Sequence, residues 1–213
     1  MKRNSFFFLF LLFVFTSCKQ TSKKEPGPGP EKIAGYYKQI NSIEPLLHSG
    51  DMIFRNGNDE VSRASRSFNR KDTSFSHCGL VLKENDSLFV YHALGGSFNP
   101  SQKLMRQSLD SFCNPAENNA IGIYRYPLSI GQVDKLKETV LGYYKAGLRF
   151  DLYFNFKSDD KMYCAEFVFK SLNSAVEGAL SPYVRLDTVP FGVTTDDLYL
   201  HPLSRLVKKA SFY

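Results

Sequence analysis

The chain has 213 residues, a formal net charge of +6 and four cysteines. Much of that charge lies near the N-terminus, so the remainder is near neutral, and with no basic stripe interleaved with aromatics nucleic acid is excluded as a partner. Cys18 follows an export-type leader, and the other three, Cys78, Cys113 and Cys164, are an odd number in an exported protein, so at least one thiol stays free or pairs between chains.

Met1-Lys2-Arg3 precede an almost unbroken apolar run from Phe6 to Phe15, and Thr16-Ser17-Cys18 follow. The basic start and small residues fit a signal peptide over residues 1–17, because the run is about ten residues where a spanning helix needs ~20. Cys18 after Thr16-Ser17 resembles the lipobox of bacterial lipoproteins, with Phe15 where that pattern prefers leucine. The resemblance implies lipidation of Cys18, which becomes the new N-terminus; ordinary secretion is the alternative. Residues 18–32 contain Pro26-Gly27-Pro28-Gly29-Pro30, cannot bury a core and read as a tether. The tether would hold residues 33–213 close to a membrane surface, and roughly 180 residues suffice for one packed domain. Lys19, Lys23 and Lys24 favour an anchor facing the periplasm over display on the cell surface.

In chain order, residues 32–48 place Ile33, Tyr36, Tyr37, Ile40 and Ile43 at near-helical spacing and predict a leading helix. Ser49-Gly50-Asp51 turns into a strand over 52–55, and a weak pattern allows a short helix over 61–68. Strands over 75–82 and 88–93 are joined by Lys83-Glu84-Asn85-Asp86, a hairpin loop of common length. With four loop residues, Leu82 pairs with Ser87, Val81 with Leu88 and Gly79 with Val90. His77 then stands opposite His92 on one face, and a slip of one residue would part them. A strand over 120–126 ends at Pro127. Ser129 and Gln132 form a capping-box pattern, and Val133, Leu136, Val140, Leu141 and Tyr144 share a helical stripe that Gly147 stops. Phe150 to Phe154 lead to a helix that begins near Cys164, with Ala165, Val168 and Leu172 on one side. The last segment, with Pro182, Pro190 and Pro202, is expected to wrap the surface and to add a short helix after Thr195. The chain shows no internal repeat.

Two stretches carry chemistry: Ser76-His77-Cys78-Gly79-Leu80-Val81-Leu82 on a strand and Tyr163-Cys164-Ala165-Glu166-Phe167-Val168 at a helix start. Two strand histidines and a cysteine that begins a helix supply base, orienting group and nucleophile together. Only a thiolate attacks carbonyl carbon well, and a free cysteine of pKa about 8.5 is mostly protonated at neutral pH. A helix dipole supplies roughly 0.3–1 kcal/mol, up to about 2 when partly buried. Lowering the pKa from about 8.5 to about 4 takes roughly 6 kcal/mol, so the helix alone is insufficient and a paired imidazolium is expected. Three residues stand as accessory candidates. Glu166 reads first as a first-turn acid that favours the dipole, Tyr163 equally as core packing or as a hydroxyl donor into the site, and Asp51, in the turn before the first strand, completes the three. Cys78 should alternate away from His77 into the core. The spacing of His77, His92 and Asp51 matches no compact ligand motif, so neither metal nor cofactor is expected.

Taken in order, Gly50-Asp51-Met52-Ile53-Phe54, Ser76-His77-Cys78-Gly79-Leu80-Val81, Val90-Tyr91-His92-Ala93, Phe150-Asp151 and Tyr163-Cys164-Ala165-Glu166-Phe167-Val168 resemble the YaeF/YiiX-type enzymes. These are circularly permuted, papain-like members of the NlpC/p60 superfamily, and the resemblance spans residues 49–172. It implies an α/β (α+β) fold in which an antiparallel sheet packs against the helix bearing the cysteine, with the histidine strand earlier in the chain than that helix. It further implies Cys164 as nucleophile, His77 as base and His92 as the third polar group, where related sequences often have glutamate. A neutral histidine there can accept the base's N–H and fix its tautomer, but it stabilises an imidazolium less than a carboxylate would. Histidine at this place also resembles the lecithin-retinol-acyltransferase-like relatives. Cys164-Ala165 replaces the cysteine-serine pair of many relatives, with little expected chemical effect.

The implied reaction is attack of the Cys164 thiolate on an amide or ester carbonyl, with the oxyanion against the Cys164 N–H and His77 first protonating the leaving group and then activating water. The expected protein is a lipid-anchored cysteine hydrolase of the cell envelope, an amidase or peptidase acting on cell-wall peptides or related small amides. A lipid amidase or acyltransferase is the first alternative, favoured by the tether and His92. A binding module without turnover is the second, against which Cys164 and His77 argue. The expected partners are a peptide or lipid amide substrate and the membrane that holds the anchor.

Overall fold

The computed structural model describes residues 28–183 and 192–212. The leader, Cys18, most of the tether and Pro190 lie outside the described residues. The first helix, α1 (Pro30–Ile43), opens with proline at its first turn, where the missing N–H is harmless, so Pro30 to Lys32 belong to the helix rather than to the tether. It ends earlier than the spacing predicts, in a 3₁₀ turn (Glu44–Leu46), and buries Ile40 and Ile43. Then follow β1 (Met52–Gly57), α2 (Glu60–Ser67), β2 (His77–Glu84), β3 (Ser87–His92), β4 (Met105–Ser108) and the single turn α3 (Leu109–Phe112). The chain continues through β5 (Asn118–Arg125), α4 (Ile130–Ala146), α5 (Cys164–Ala175), α6 (Thr195–Tyr199) and β6 (Arg205–Ser211).

The six strands form one antiparallel sheet in the order β4-β3-β2-β1-β5-β6. Strand alternation sends Met52, Phe54, Cys78, Leu80 and Leu82 to one face, where α5 packs on the sheet and α4 packs on α5. Ile53, Val81, Val90 and Phe112 meet Ile40 and Ile43 on the other. Helix α5 is the central element. It buries Ala165, Val168 and Leu172 as the stripe predicts, and also Glu166, Phe167, Phe169 and Ser171. The α4 capping box is present, with Ser129 N donating to Gln132 Oε1 at 2.8 Å, and Gly147 stops the helix at a left-handed φ of 68°. Tyr144, expected on the buried stripe, is 40% exposed at its edge.

The hairpin register differs from the expectation by two residues. Glu84 pairs with Ser87 and Val81 with Val90, so only Asn85 and Asp86 remain in the turn. Asn85 adopts φ 52°, a conformation asparagine tolerates better than most residues, and this tightens the loop from four residues to two. A slip of two preserves which side chains share a face, so His77 and His92 stay on one side; His92 now stands against Gly79 rather than His77. The sequence reading missed β4, α3 and β6. β6 carries Lys208 and Lys209 on an exposed edge strand whose apolar alternation is weak. Among the described residues no helix is long and apolar enough to cross a membrane.

Candidate active site

His77 opens β2 and Cys164 opens α5, and both line one cavity of about 250 Å³. Ser76 pins the head of β2 to β1: its Oγ accepts from Gly57 N at 3.0 Å and donates to the Arg55 carbonyl at 3.2 Å. At the helix start, Glu166 Oε2 accepts from Tyr163 N at 3.3 Å, which fixes the turn that presents Cys164.

The two histidines are joined. His77 Nε2 and His92 Nδ1 are 2.9 Å apart, and His92 Nε2 lies 2.9 Å from Gln107 Oε1. Burial, followed by the nearby Arg55 guanidinium, holds His92 down to about 3, so it is neutral and donates from one nitrogen only. Gln107 Oε1 is an acceptor and therefore takes the Nε2–H. His92 Nδ1 must then accept from His77 Nε2–H, which leaves His77 Nδ1 as the ring's free acceptor. Phe112 packs under both rings, with centroids at 5.9 Å from His77 and 5.1 Å from His92. Burial first, then Arg55 and His92, keep His77 well below its ordinary value, so the resting ring is neutral.

Cys164 is half-buried, whereas Cys78 and Cys113 are buried, and all three are free thiols. The Cys164 thiol is held below its ordinary range, first by a hydrogen bond from the Cys78 thiol, and also by the backbone N–H groups of Ala165, Cys78 and Cys164, against the opposing effect of burial. Burial and that same contact push Cys78 up, so Cys78 is the proton donor of the pair. Cys78 lies in the core on the face opposite His77, as alternation requires, within the cluster against which Cys164 packs. The paired imidazolium expected from the sequence is therefore not the resting arrangement: thiol and backbone donors lower Cys164 while His77 stays neutral.

The accessory candidates divide. Tyr163 lines the cavity, but its hydroxyl is tied to the chain, donating to Val193 O at 2.9 Å and accepting from Val193 N at 3.1 Å. Glu166 is fully buried beneath the helix start, its Oε1 lies 2.8 Å from Lys170 Nζ, and burial pushes it up to about 7. Asp51 is not brought to the cavity. It receives Arg125 in a two-pronged ion pair at 2.5 and 2.8 Å and caps the turn at His48 N, four strand positions from Arg55.

Sequence reasoning missed Gln107, Arg55 and the cavity wall. Gln107 lies on β4, a four-residue strand with no clear alternation. The wall comes from the loop after Arg149, where Asp151 accepts from Tyr153 N at 2.8 Å and from Asn155 N, turning Phe150, Leu152 and Phe154 toward the cavity. The Phe150-Asp151 pair was the available signal for that loop.

A family model described as permuted papain-like amidase enzyme, YaeF/YiiX, C92 family, matches residues 46–191. No curated protein matches the chain significantly. Among solved structures, the crystal structure of the metalloprotein YiiX from Escherichia coli O157:H7 is similar, with a TM-score of 0.58 and 21% identity, covering 77% of this chain and 98% of that one. That likeness establishes a common fold. His77 and His92 bond directly to each other at 2.9 Å, and among the described residues no group of three or more His, Cys, Asp or Glu could hold a metal ion. With most of the chain matched and the histidine strand preceding the cysteine helix in the fold, the protein belongs to the YaeF/YiiX (C92) family of permuted papain-like amidases.

Proposed function

We propose that this amidase is a cysteine hydrolase of the cell envelope, held to a membrane through lipidated Cys18, with Cys164 as nucleophile, His77 as base and His92 as its orienting group. The observation that carries this reading is that Cys164 and His77 line one cavity while His92 and Gln107 fix the His77 tautomer. His77 Nδ1 takes the Cys164 proton as sulfur attacks the carbonyl carbon, then delivers it to the departing nitrogen as the C–N bond breaks. The Cys164 backbone N–H, at the first turn of α5 and without an intrahelical acceptor, would serve as a donor to the oxyanion. Water, deprotonated by His77, then releases the acyl group from sulfur.

Two substrate classes follow from the sequence, cell-wall peptides and lipid amides. The cavity favours an apolar acyl group, because Leu94, Phe98, Phe150, Leu152 and Phe154 form much of its wall. At its edge Val61 is 59% exposed, Phe98 52% and Leu152 57%, more apolar surface than a polar peptide would reward. Lipid amides or other apolar N-acyl compounds are therefore the preferred substrates, with hydrolysis favoured over transfer wherever water is the acceptor.

The deciding experiment follows iodoacetamide labelling of Cys164 against pH in the full chain, beside hydrolysis of an N-acyl amide by wild type, Cys164→Ala and His77→Ala. Labelling with a midpoint below the usual cysteine range, and turnover lost in both variants, is the expected result. Labelling that rises only near pH 8.5, with no turnover, would replace the hydrolase reading with a binding role on the same fold.

A further inference from the structure

Arg55 stands directly across from His77 in the β1–β2 ladder, so the two side chains share a face. Its guanidinium lies 4.8 Å over the Phe112 ring and donates from Nη1 to the Phe112 carbonyl at 3.1 Å. Among the described residues that bond leaves most of its five N–H donors unused. Among the described residues no carboxylate is ion-paired with it. The acid lining the same recess, Asp59, is committed elsewhere: Oδ1 accepts from Ser62 N at 2.9 Å and Oδ2 from Ser62 Oγ at 2.6 Å, capping α2.

Arg55 also has space in front of it. A recess of about 60 Å³, walled by Arg55, Ser76 and His77, adjoins the main cavity and shares Val61, Leu94 and His77 with it. Cys164 lines the main cavity and not the recess, whereas His77 lines both. An acyl group bonded to sulfur therefore belongs to the apolar cavity, and the half that leaves with a proton from His77 belongs to the recess. A half-buried guanidinium with spare donors and no counter-ion among the described residues selects a carboxylate.

We propose that Arg55 receives a carboxylate on the departing half of the substrate, so that the amides cleaved are N-acyl amino acids with an apolar acyl chain and a small amino acid. The proposal rests on the amidase reading of Cys164 and His77. In the reaction, the C–N bond breaks as the nitrogen takes the proton that His77 received from Cys164, and the free amino acid leaves. Water then adds to the thioester carbonyl, the C–S bond breaks, and a fatty acid and the Cys164 thiol are restored. The bound carboxylate has a second effect. Arg55 is one of the groups that depress His77, after burial, and a negative charge on the guanidinium offsets it, so the base gains proton affinity when the anionic substrate is in place.

The test compares N-octanoylglycine with N-octanoylglycinamide, which differ in the carboxylate alone. Binding of each to the full chain carrying Cys164→Ala is measured by calorimetry, with and without Arg55→Gln, and release of glycine or glycinamide is followed in wild type. At least tenfold tighter binding of the acid, lost on Arg55→Gln, is the expected result. Equal binding of the two by the Cys164→Ala protein, or a preference that survives Arg55→Gln, overturns the proposal and leaves Arg55 as a packing partner of Phe112. The substrate pair decides the question even if Arg55→Gln fails to fold. Arg55-dependent binding without product release by wild type would sink the amidase reading and leave the carboxylate site standing.

Discussion

His77 and His92 meet edge to face, with 2.9 Å between Nε2 and Nδ1, although they are not opposite one another in the β2–β3 ladder. The register, carried one step beyond Leu80 and Tyr91, sets Gly79 against His92. The absence of a side chain at Gly79 is what lets His92 lean along the strand to His77. A Cβ at that position would come within 2.8 Å of the Tyr91 carbonyl and Val90 Cγ1, and within 3.0 Å of His92 Cβ.

Gly79→Ala is therefore expected to push His92 away from His77. Backbone and packing must both yield, which costs about 1–3 kcal/mol by analogy with overpacked cores. Thermal unfolding should show that loss, and amide hydrolysis should fall by roughly tenfold or more. A variant with unchanged turnover would mean that the contact between the histidines does not position the base.

Gln107 acts through His92 rather than on substrate. Gln107→Leu leaves a buried N–H on His92 without an acceptor, at about 1–3 kcal/mol, and removes the reason for His92 to keep its proton on Nε2. The ring can then turn its donor toward His77, a mismatch that should lower kcat more than it raises KM. Gln107→Glu restores an acceptor and should recover kcat while moving the acid limb of the pH–rate profile upward. Steady-state kinetics on the two variants separates positioning from simple loss of stability.

Acid should destabilise the domain through its buried histidines. Their folded values lie below the ordinary imidazole value, so between the two the unfolded chain binds protons that the native one does not, and stability falls as pH drops from about 6.5. For His92, held down to about 3, the loss by pH 4 is about 3 kcal/mol. Denaturant midpoints across pH 4–7 should show this slope, reduced in His92→Gln.

Glu166 slopes the other way. Its carboxyl is raised to about 7 by burial, so the native state holds a proton that the unfolded state releases above its ordinary value, and stability falls as pH rises from about 4.5 through 7. Glu166→Gln keeps an acceptor for Tyr163 N and removes that dependence. Melting temperatures between pH 5 and 8 should decline in wild type and flatten in the variant.

The Cys78 contact can be measured at the nucleophile itself. Cys78→Ala deletes the first of the groups that lower Cys164, so the iodoacetamide labelling midpoint should move upward, whereas Cys78→Ser supplies an O–H donor and should move it less. Identical labelling curves in all three proteins would show that backbone N–H groups alone hold the thiolate.

Much of the site was legible where it depends on short-range chemistry. The Ser129 and Gln132 cap, the stop at Gly147 and the apolar spacing behind Cys164 each involve residues within one or two helical turns, and each appears as read. The alternation of β2 and β3 also carried, since an even change of loop length preserves faces; it put His77 and His92 on one side even though the register was off by two. The register itself depended on the positive φ of Asn85, a backbone choice that the hydrophobic pattern does not encode.

From the sequence alone follow the order of the elements other than β4, α3 and β6, the cysteine at a helix start, the histidines on a shared face and the permuted papain-like resemblance. Only the tertiary structure decided that Gln107 completes the histidine chain, that Cys78 lowers the Cys164 thiol and that Arg55, with no ion-paired carboxylate among the described residues, stands beside His77. The physical reason is the range of the forces that write each pattern. Periodicity and caps record contacts between near neighbours in the chain. The partner of a buried donor is chosen by how β4, β3, β2 and β1 lie side by side and by where α5 rests on them, and no local pattern of residues contains that arrangement.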